Sequence, residues 1–127
     1  MKTIISTPKA PAAIGPYNQA TAFDKLIFTS GQIALNPETM EIVEGGVQAQ
    51  TKQVMENLKA VLEEAGSSFE NVLKTTCYLS DMDNFVAFNE IYGLYFKGET
   101  APARSTVAVK TLPKNVLVEV DTIAFKN

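Results

Sequence analysis

Residues 47–65 constrain the fold of this chain more than any other stretch. Apolar or small side chains recur at 47, 51, 54, 58, 61, 62 and 65. That i, i+3/i+4 spacing predicts an amphipathic helix over Val47–Ala65, with Lys52, Glu56, Lys59 and Glu63 on the other side. Gly66 is placed to end it, since glycine readily takes the left-handed conformation that closes a helix. A helix with one apolar face needs a partner surface, and the flanking segments supply one. Lys2–Ser6, Ala20–Phe23, Leu26–Thr29 and Val72–Ser80 have strand character. Leu73, Thr75, Cys77 and Leu79 are expected on one face of the last of these, with Cys77 as a core filler. Asp81–Phe96 reads as a second helix capped by Asp81 or Asp83, with an aromatic stripe of Phe85, Phe88, Tyr92, Tyr95 and Phe96. Asn89 falls within that stripe, where a buried amide needs hydrogen-bond partners.

The order of strands, helix, strand, helix and two strands predicts an α+β fold: a mixed sheet with two helices on one face. The other face would carry Val, Thr and Tyr side chains in need of cover, which oligomerisation can provide. At 127 residues the chain is expected to form one domain, 1–127.

Several chemistries are closed to this sequence. With no His and one Cys, it has no Ser–His triad, no His general base, no His-ligated or all-thiolate zinc site and no internal disulfide. No glycine-rich phosphate loop is present. The net charge of −3 comes with scattered cations and no basic stripe, which disfavours nucleic acid as a partner. No stretch is apolar enough to span a membrane, and the N-terminus has too short an apolar core for a secretory signal, so the cytoplasm is the expected location.

What remains is carboxylates, Arg, Tyr, hydroxyls and backbone dipoles, and these concentrate in Ala101–Thr122. Two β-branched runs, Ser105–Val109 and Val116–Val120, flank a turn at Thr111–Asn115. Arg104 opens the first run and Glu119 sits inside the second. Charges on strands are costly when buried and unpaired. Either the two face solvent or neutralise each other, or they form a site. In a site, an Arg fork binds a small carboxylate and a Glu handles a proton or a water. Strand parity alone leaves both readings open, as does the possibility that the two meet across a subunit boundary. Upstream, three prolines between Thr7 and Pro16 favour an extended loop ending at Tyr17, and Ser30-Gly31 closes the Leu26–Thr29 strand.

The motif A-P-A-R-S-x-V at 101–107, followed by L-P-K-x-V-x-V-E-V at 112–120, resembles the signature of the Rid (YjgF-like) family of reactive enamine/imine deaminases. A-P-A-A-I-G-P-Y at 10–17, T-S-G-Q-I at 29–33 and N-P-x-T at 36–39 extend the resemblance over essentially the whole chain. It implies a chorismate-mutase-like α+β homotrimer with three ligand clefts between subunits. It also implies hydrolysis of 2-iminopropanoate or 2-iminobutanoate to a 2-oxo acid and ammonia, with no metal or cofactor. On that resemblance Arg104 clamps the substrate carboxylate and Glu119 directs water. Ser30, Gly31, Asn89 and Thr106 orient the acid, and Tyr17 shields it from a neighbouring subunit. Thr106 departs from the pattern, since many family members carry Cys there. The competing readings are a non-catalytic sensor of small 2-oxo or amino acids, and an interaction protein such as a chaperone or a ribonuclease.

Overall fold

The computed structural model describes residues 1–127. Six strands form one sheet in the order β1-β2-β3-β6-β4-β5: β1 Thr3–Ile5, β2 Ala20–Phe23, β3 Leu26–Thr29, β4 Val72–Leu79, β5 Ala103–Ala108 and β6 Val118–Phe125. Helix α1 (Val47–Glu64) joins β3 to β4, and α2 (Phe85–Tyr95) joins β4 to β5. Only β4 and β5 pair in parallel, as a helical crossover permits; the other neighbours are antiparallel. The mixed sheet with two helices agrees with the expectation.

Local chemistry accounts for the boundaries. The β2–β3 hairpin turns through Asp24-Lys25, with Asp24 at φ 55°. Helix α1 stops because Gly66 takes φ +81°, so that its N–H reaches the Glu63 carbonyl at 3.0 Å while the Ser67 N–H reaches Leu62 at 2.8 Å. That is the doubly bonded glycine termination. Before α2, Asp81 Oδ1 accepts the Asp83 N–H at 2.8 Å and caps a short 3-10 turn, Met82–Asn84.

Both helices pack on the same face of the sheet. Val54, Met55, Leu58, Val61 and Leu62 of α1 and Phe88 of α2 are fully buried against Ile27, Cys77, Leu79, Val118 and Val120. Burying each large aliphatic side chain contributes roughly 1.5–3 kcal/mol. The opposite face has no helix. It presents Ile4, Phe23, Leu26, Phe28 and Val107, each 42–62 % exposed, beside the half-buried Tyr78, Glu119, Asp121 and Ile123. Exposed apolar side chains on a sheet face without a helix are suited to an interaction surface.

Two local expectations change. In β4 it is Val72 that is buried and Leu73 that is exposed, because an irregularity between Val72 and Lys74 shifts the pairing with β6 by one residue. Thr75, Cys77 and Leu79 keep the core face as expected. Next, Asn89 is exposed rather than buried in the aromatic stripe: Phe88, Tyr92 and Phe96 fill the core arc and Asn89 lies on the flank of α2. The strands β5 and β6, whose relative placement strand parity leaves open, are consecutive in sequence but not in space, since β4 runs between them.

Candidate functional site

The register of the sheet assigns each candidate residue to a face. In β4, Thr75 and Cys77 face the helices; Arg104 pairs with Thr75 and Thr106 with Cys77, so both share that face. Glu119 pairs with Tyr78, whose side chain points the other way. One chain therefore carries two groups of candidates, on opposite faces of its sheet.

The first group lines a cavity of about 610 Å3 on the open face, formed with Tyr17, Ser30, Gly31 and Glu119 among its walls. The segment after β3 is stapled to β6 by reciprocal backbone bonds, Gln32 N–H to Val120 O at 2.9 Å and Val120 N–H to Gln32 O at 3.2 Å. That staple lays the Glu119 side chain directly on Gly31. A Cβ on residue 31 would collide with the carboxylate oxygen Oε2 and come 2.8 Å from Cδ and 3.0 Å from Cγ. Glycine is needed here for close approach, not for its dihedral freedom. The Ser30 hydroxyl donates to the Asn18 carbonyl at 2.6 Å. Its lone pairs are what remains for a ligand, so it is set to accept an N–H rather than to donate to an anion. Tyr17 is 51 % exposed, and its hydroxyl lies 3.4 Å from the Ile14 N–H. Pro11, Ile14, Ile33 and Leu35 supply apolar wall.

Electrostatics in this group favour a proton-accepting carboxylate. Partial burial and then the neighbouring Asp121 hold the Glu119 carboxyl above its ordinary range. Burial also raises Asp121, with the Tyr78 hydrogen bond and the Lys74 charge opposing the shift.

The second group sits at the β5 edge. Arg104 Nη1 donates to Asn89 Oδ1 at 2.6 Å, its one hydrogen bond to another side chain. Its guanidinium carbon lies 4.7 Å from the Tyr92 ring centre and 5.4 Å from that of Phe85. Tyr92 is itself fixed by a 2.7 Å bond between its hydroxyl and that of Thr75. Stacking on two rings holds the guanidinium plane in place while leaving most of its five N–H donors free for an anion. Two residues along the strand, the Thr106 hydroxyl is buried with no hydrogen-bond partner. A hydroxyl with unused hydrogen-bonding capacity, on the same strand face as a guanidinium with free donors, is chemistry suited to a polar ligand.

Arg104 and Glu119 thus do not neutralise each other, and within one chain they do not share a pocket. Tyr17, Ser30 and Gly31 gather with Glu119; Asn89 and Thr106 gather with Arg104. No group of three or more Cys, Asp or Glu side chains comes together in a way that could hold a metal ion. Gln19 and Asn57 were not singled out by sequence, yet both are buried beside the first group. Asn57 Nδ2 donates to the Ile33 and Leu35 carbonyls at 3.2 and 3.0 Å, tying α1 to the cavity wall. The available signal for Asn57 was an amide three residues after Val54 and four before Val61, within the helix arc that packs on the sheet.

Known proteins are similar to this chain in sequence and fold over nearly all of its length. The family model described as Endoribonuclease L-PSP matches residues 7–126. A RutC family protein of Synechocystis is 60 % identical over 95 % of this chain and 94 % of its own. The mouse protein named 2-iminobutanoate/2-iminopropanoate deaminase is 48 % identical over 99 % of this chain and 93 % of its own. Among solved structures, a Rid-family protein of unknown function from Yersinia pestis superposes with a TM-score of 0.95 at 46 % identity, covering 98 % of this chain and 99 % of that one. The E. coli TdcF structure with bound serine superposes with a TM-score of 0.92 at 41 % identity, over 98 % and 99 % of the two chains. Sequence and fold agree, and the chain belongs to the Rid (YjgF-like) family covered by the Endoribonuclease L-PSP model.

Proposed function

We propose that the protein hydrolyses small 2-imino acids, 2-iminobutanoate and 2-iminopropanoate, to 2-oxo acids and ammonia. The observation that carries this reading is the Glu119 carboxylate, raised above its usual range and lying against Gly31 in a partly apolar cavity. A carboxylate of elevated pKa is suited to general-base work near neutral pH. The name of the mouse relative points to the same substrates.

In this reading a substrate needs both groups of residues, so two chains build each site. A second copy laid on the open apolar face brings its Arg104 edge to the first copy's cavity, and a closed ring of three such contacts makes the homotrimer. Arg104 grips the substrate carboxylate, with Asn89 holding the guanidinium in register and Thr106 supplying its unpaired hydroxyl. Ser30 accepts the imine N–H. Glu119 takes a proton from water as the oxygen adds to C2. Glu119 returns that proton to the nitrogen, giving the carbinolamine; on collapse the C2–N bond breaks as the hydroxyl proton passes to the leaving nitrogen, so ammonia departs and C2 keeps the oxygen as the 2-oxo carbonyl. Tyr17 and the apolar wall limit entry of bulk water. The test is a competition assay: an amino-acid oxidase generates imines, semicarbazide traps them, and the protein should lower semicarbazone yield in proportion to its concentration. Undiminished yield over a range of amino acids defeats the proposal.

The second reading is a sensor that binds a small amino or 2-oxo acid in the same place without turning it over. The serine held in the E. coli relative favours it. Glu119→Gln separates the two: an enzyme loses turnover but keeps ligand, whereas a sensor has no turnover to lose. A ribonuclease role, which the family description names, is poorly served by a chain of net charge −3 without a basic stripe.

A further inference from the structure

The loop between β1 and β2 forms one wall of the cavity but has little means of holding itself. It carries Pro8, Pro11 and Pro16, which lack an N–H, and no regular structure. Inside it there are only short-range bonds: Tyr17 N–H to the Gly15 carbonyl at 2.9 Å, Lys9 N–H to the Thr7 hydroxyl at 3.2 Å and a long one, Ile14 N–H to the Tyr17 hydroxyl at 3.4 Å. One side chain supplies the rest. Gln19, 3 % exposed, accepts the Thr7 N–H on Oε1 at 2.7 Å. Its Nε2 donates to the carbonyls of Pro11 at 2.8 Å, Thr7 at 3.0 Å and Ala10 at 3.2 Å, two protons serving three acceptors. The main chain at the same point holds the opposite wall: the Gln19 carbonyl accepts the Ser30 N–H at 2.9 Å, and the Asn18 carbonyl accepts the Ser30 hydroxyl.

We propose that Gln19 is a positioning residue for the cavity, its carboxamide locking the 7–17 loop, and with it Tyr17, against the Ser30–Gly31 edge. A carboxamide offers two donor protons and an acceptor on one planar group, and glutamine has the reach to meet carbonyls on both sides of Pro8. Glu119 is held separately, by β6 and the Gln32–Val120 staple. Releasing the loop should therefore loosen the binding wall while leaving the base in place. The kinetic part of this inference rests on the imine-hydrolase reading; the structural part does not.

The experiment compares wild type, Gln19→Leu and Gln19→Glu, each carrying 3-fluorotyrosine. The Tyr17 resonance is assigned by its absence in Tyr17→Phe. Gln19→Glu preserves shape and the acceptor for Thr7 while setting a carboxylate oxygen against three carbonyls. The expected result is a shifted or broadened Tyr17 19F resonance in both variants, with those of Tyr78, Tyr92 and Tyr95 unmoved. KM for the imine should rise about tenfold while kcat stays within about threefold, the signature of lost ground-state binding. An unmoved Tyr17 resonance with wild-type KM overturns the proposal. So does collapse of all four resonances in both variants, which would make Gln19 a support of the whole fold. Should wild type turn over no imine, the fluorine spectra still decide the positioning role, and the hydrolase reading fails on its own.

Discussion

Arg104 and Glu119 lie on opposite faces of one sheet, separated by β4: Arg104 pairs with Thr75 on the helix side, and Glu119 with Tyr78 on the open side. No side-chain rotation brings them together within a chain. A site that uses both must draw them from different copies.

Complementation tests this directly. Arg104→Ala and Glu119→Ala should each lose activity alone, Arg104→Ala by about ten- to a hundredfold as a charge-assisted contact of about 1.5–3 kcal/mol disappears. Mixed in equal amounts and allowed to exchange subunits, they should recover about a quarter of wild-type activity. At random, one junction in four unites an intact Arg104 with an intact Glu119. No recovery in verified mixed oligomers would mean the two residues do not share a site. Arg104→Lys should also be inactive, because Lys keeps the charge but lacks the planar fork.

Gly31→Ala should leave the fold standing and the chemistry impaired. The colliding atoms belong to the flexible end of Glu119, which can swing aside. A displacement of about 1 Å at a catalytic group costs on the order of a hundredfold in rate. The check is a thermal melt close to that of wild type alongside a kcat at least about tenfold lower.

The carboxyl pair on the open face sets a pH dependence. Glu119 and Asp121 hold their protons more tightly in the folded protein than ordinary carboxyls do. Their charged forms oppose folding; that opposition is absent at low pH and grows as pH rises through the folded values. Glu119→Gln should therefore melt at a higher temperature than wild type at neutral pH, with the advantage fading as pH falls toward the ordinary carboxyl value of 4.5. In wild type the acid limb of kcat/KM should lie above 4.5, because the base must be ionised to act. A melting advantage that grows on acidification would contradict this.

Thiol chemistry should be silent. Cys77 is fully buried under α1 and α2, and burial pushes its thiol up to about 11. The thiolate, the reactive form, is then about a hundredfold scarcer at neutral pH than for a free thiol. Native protein should react with an aromatic disulfide reagent at least about a hundredfold more slowly than unfolded protein. Its activity should survive thiol oxidants, since Thr106 brings no sulfur to the Arg104 edge.

Helix α1 and the β2–β3 hairpin were legible in the sequence because their determinants are local: a 3.6-residue apolar period ended by Gly66, and two strands around Asp24-Lys25. Leu73 was assigned to the wrong face because alternation assumes an unbroken pleat, and the irregularity at Val72/Lys74 is set by pairing with β6, about fifty residues away. Asn89 was expected to be buried because helical spacing places it within the aromatic arc, whereas β5 leaves that flank open for Arg104. Glu119 and Arg104 announced themselves as charges inside β-branched runs. Which faces they occupy was not legible, because β4, remote in sequence, inserts between their strands. Gln19 was missed for a related reason: the carbonyls it satisfies belong to a loop whose path only the folded chain defines.

The irregularity at the start of β4 acts like a shift of reading frame written into the backbone. Upstream of it Val72 points inward; downstream, inward positions fall on Thr75, Cys77 and Leu79. Deleting Thr76, downstream of it, would turn Tyr78 beneath the helices and evict Cys77 and Leu79 together, whereas deleting Leu73 would only smooth the irregularity away. Changes of length are thus barred from β4 far more strictly than changes of side chain, and tolerance for them belongs to exposed turns such as 36–41.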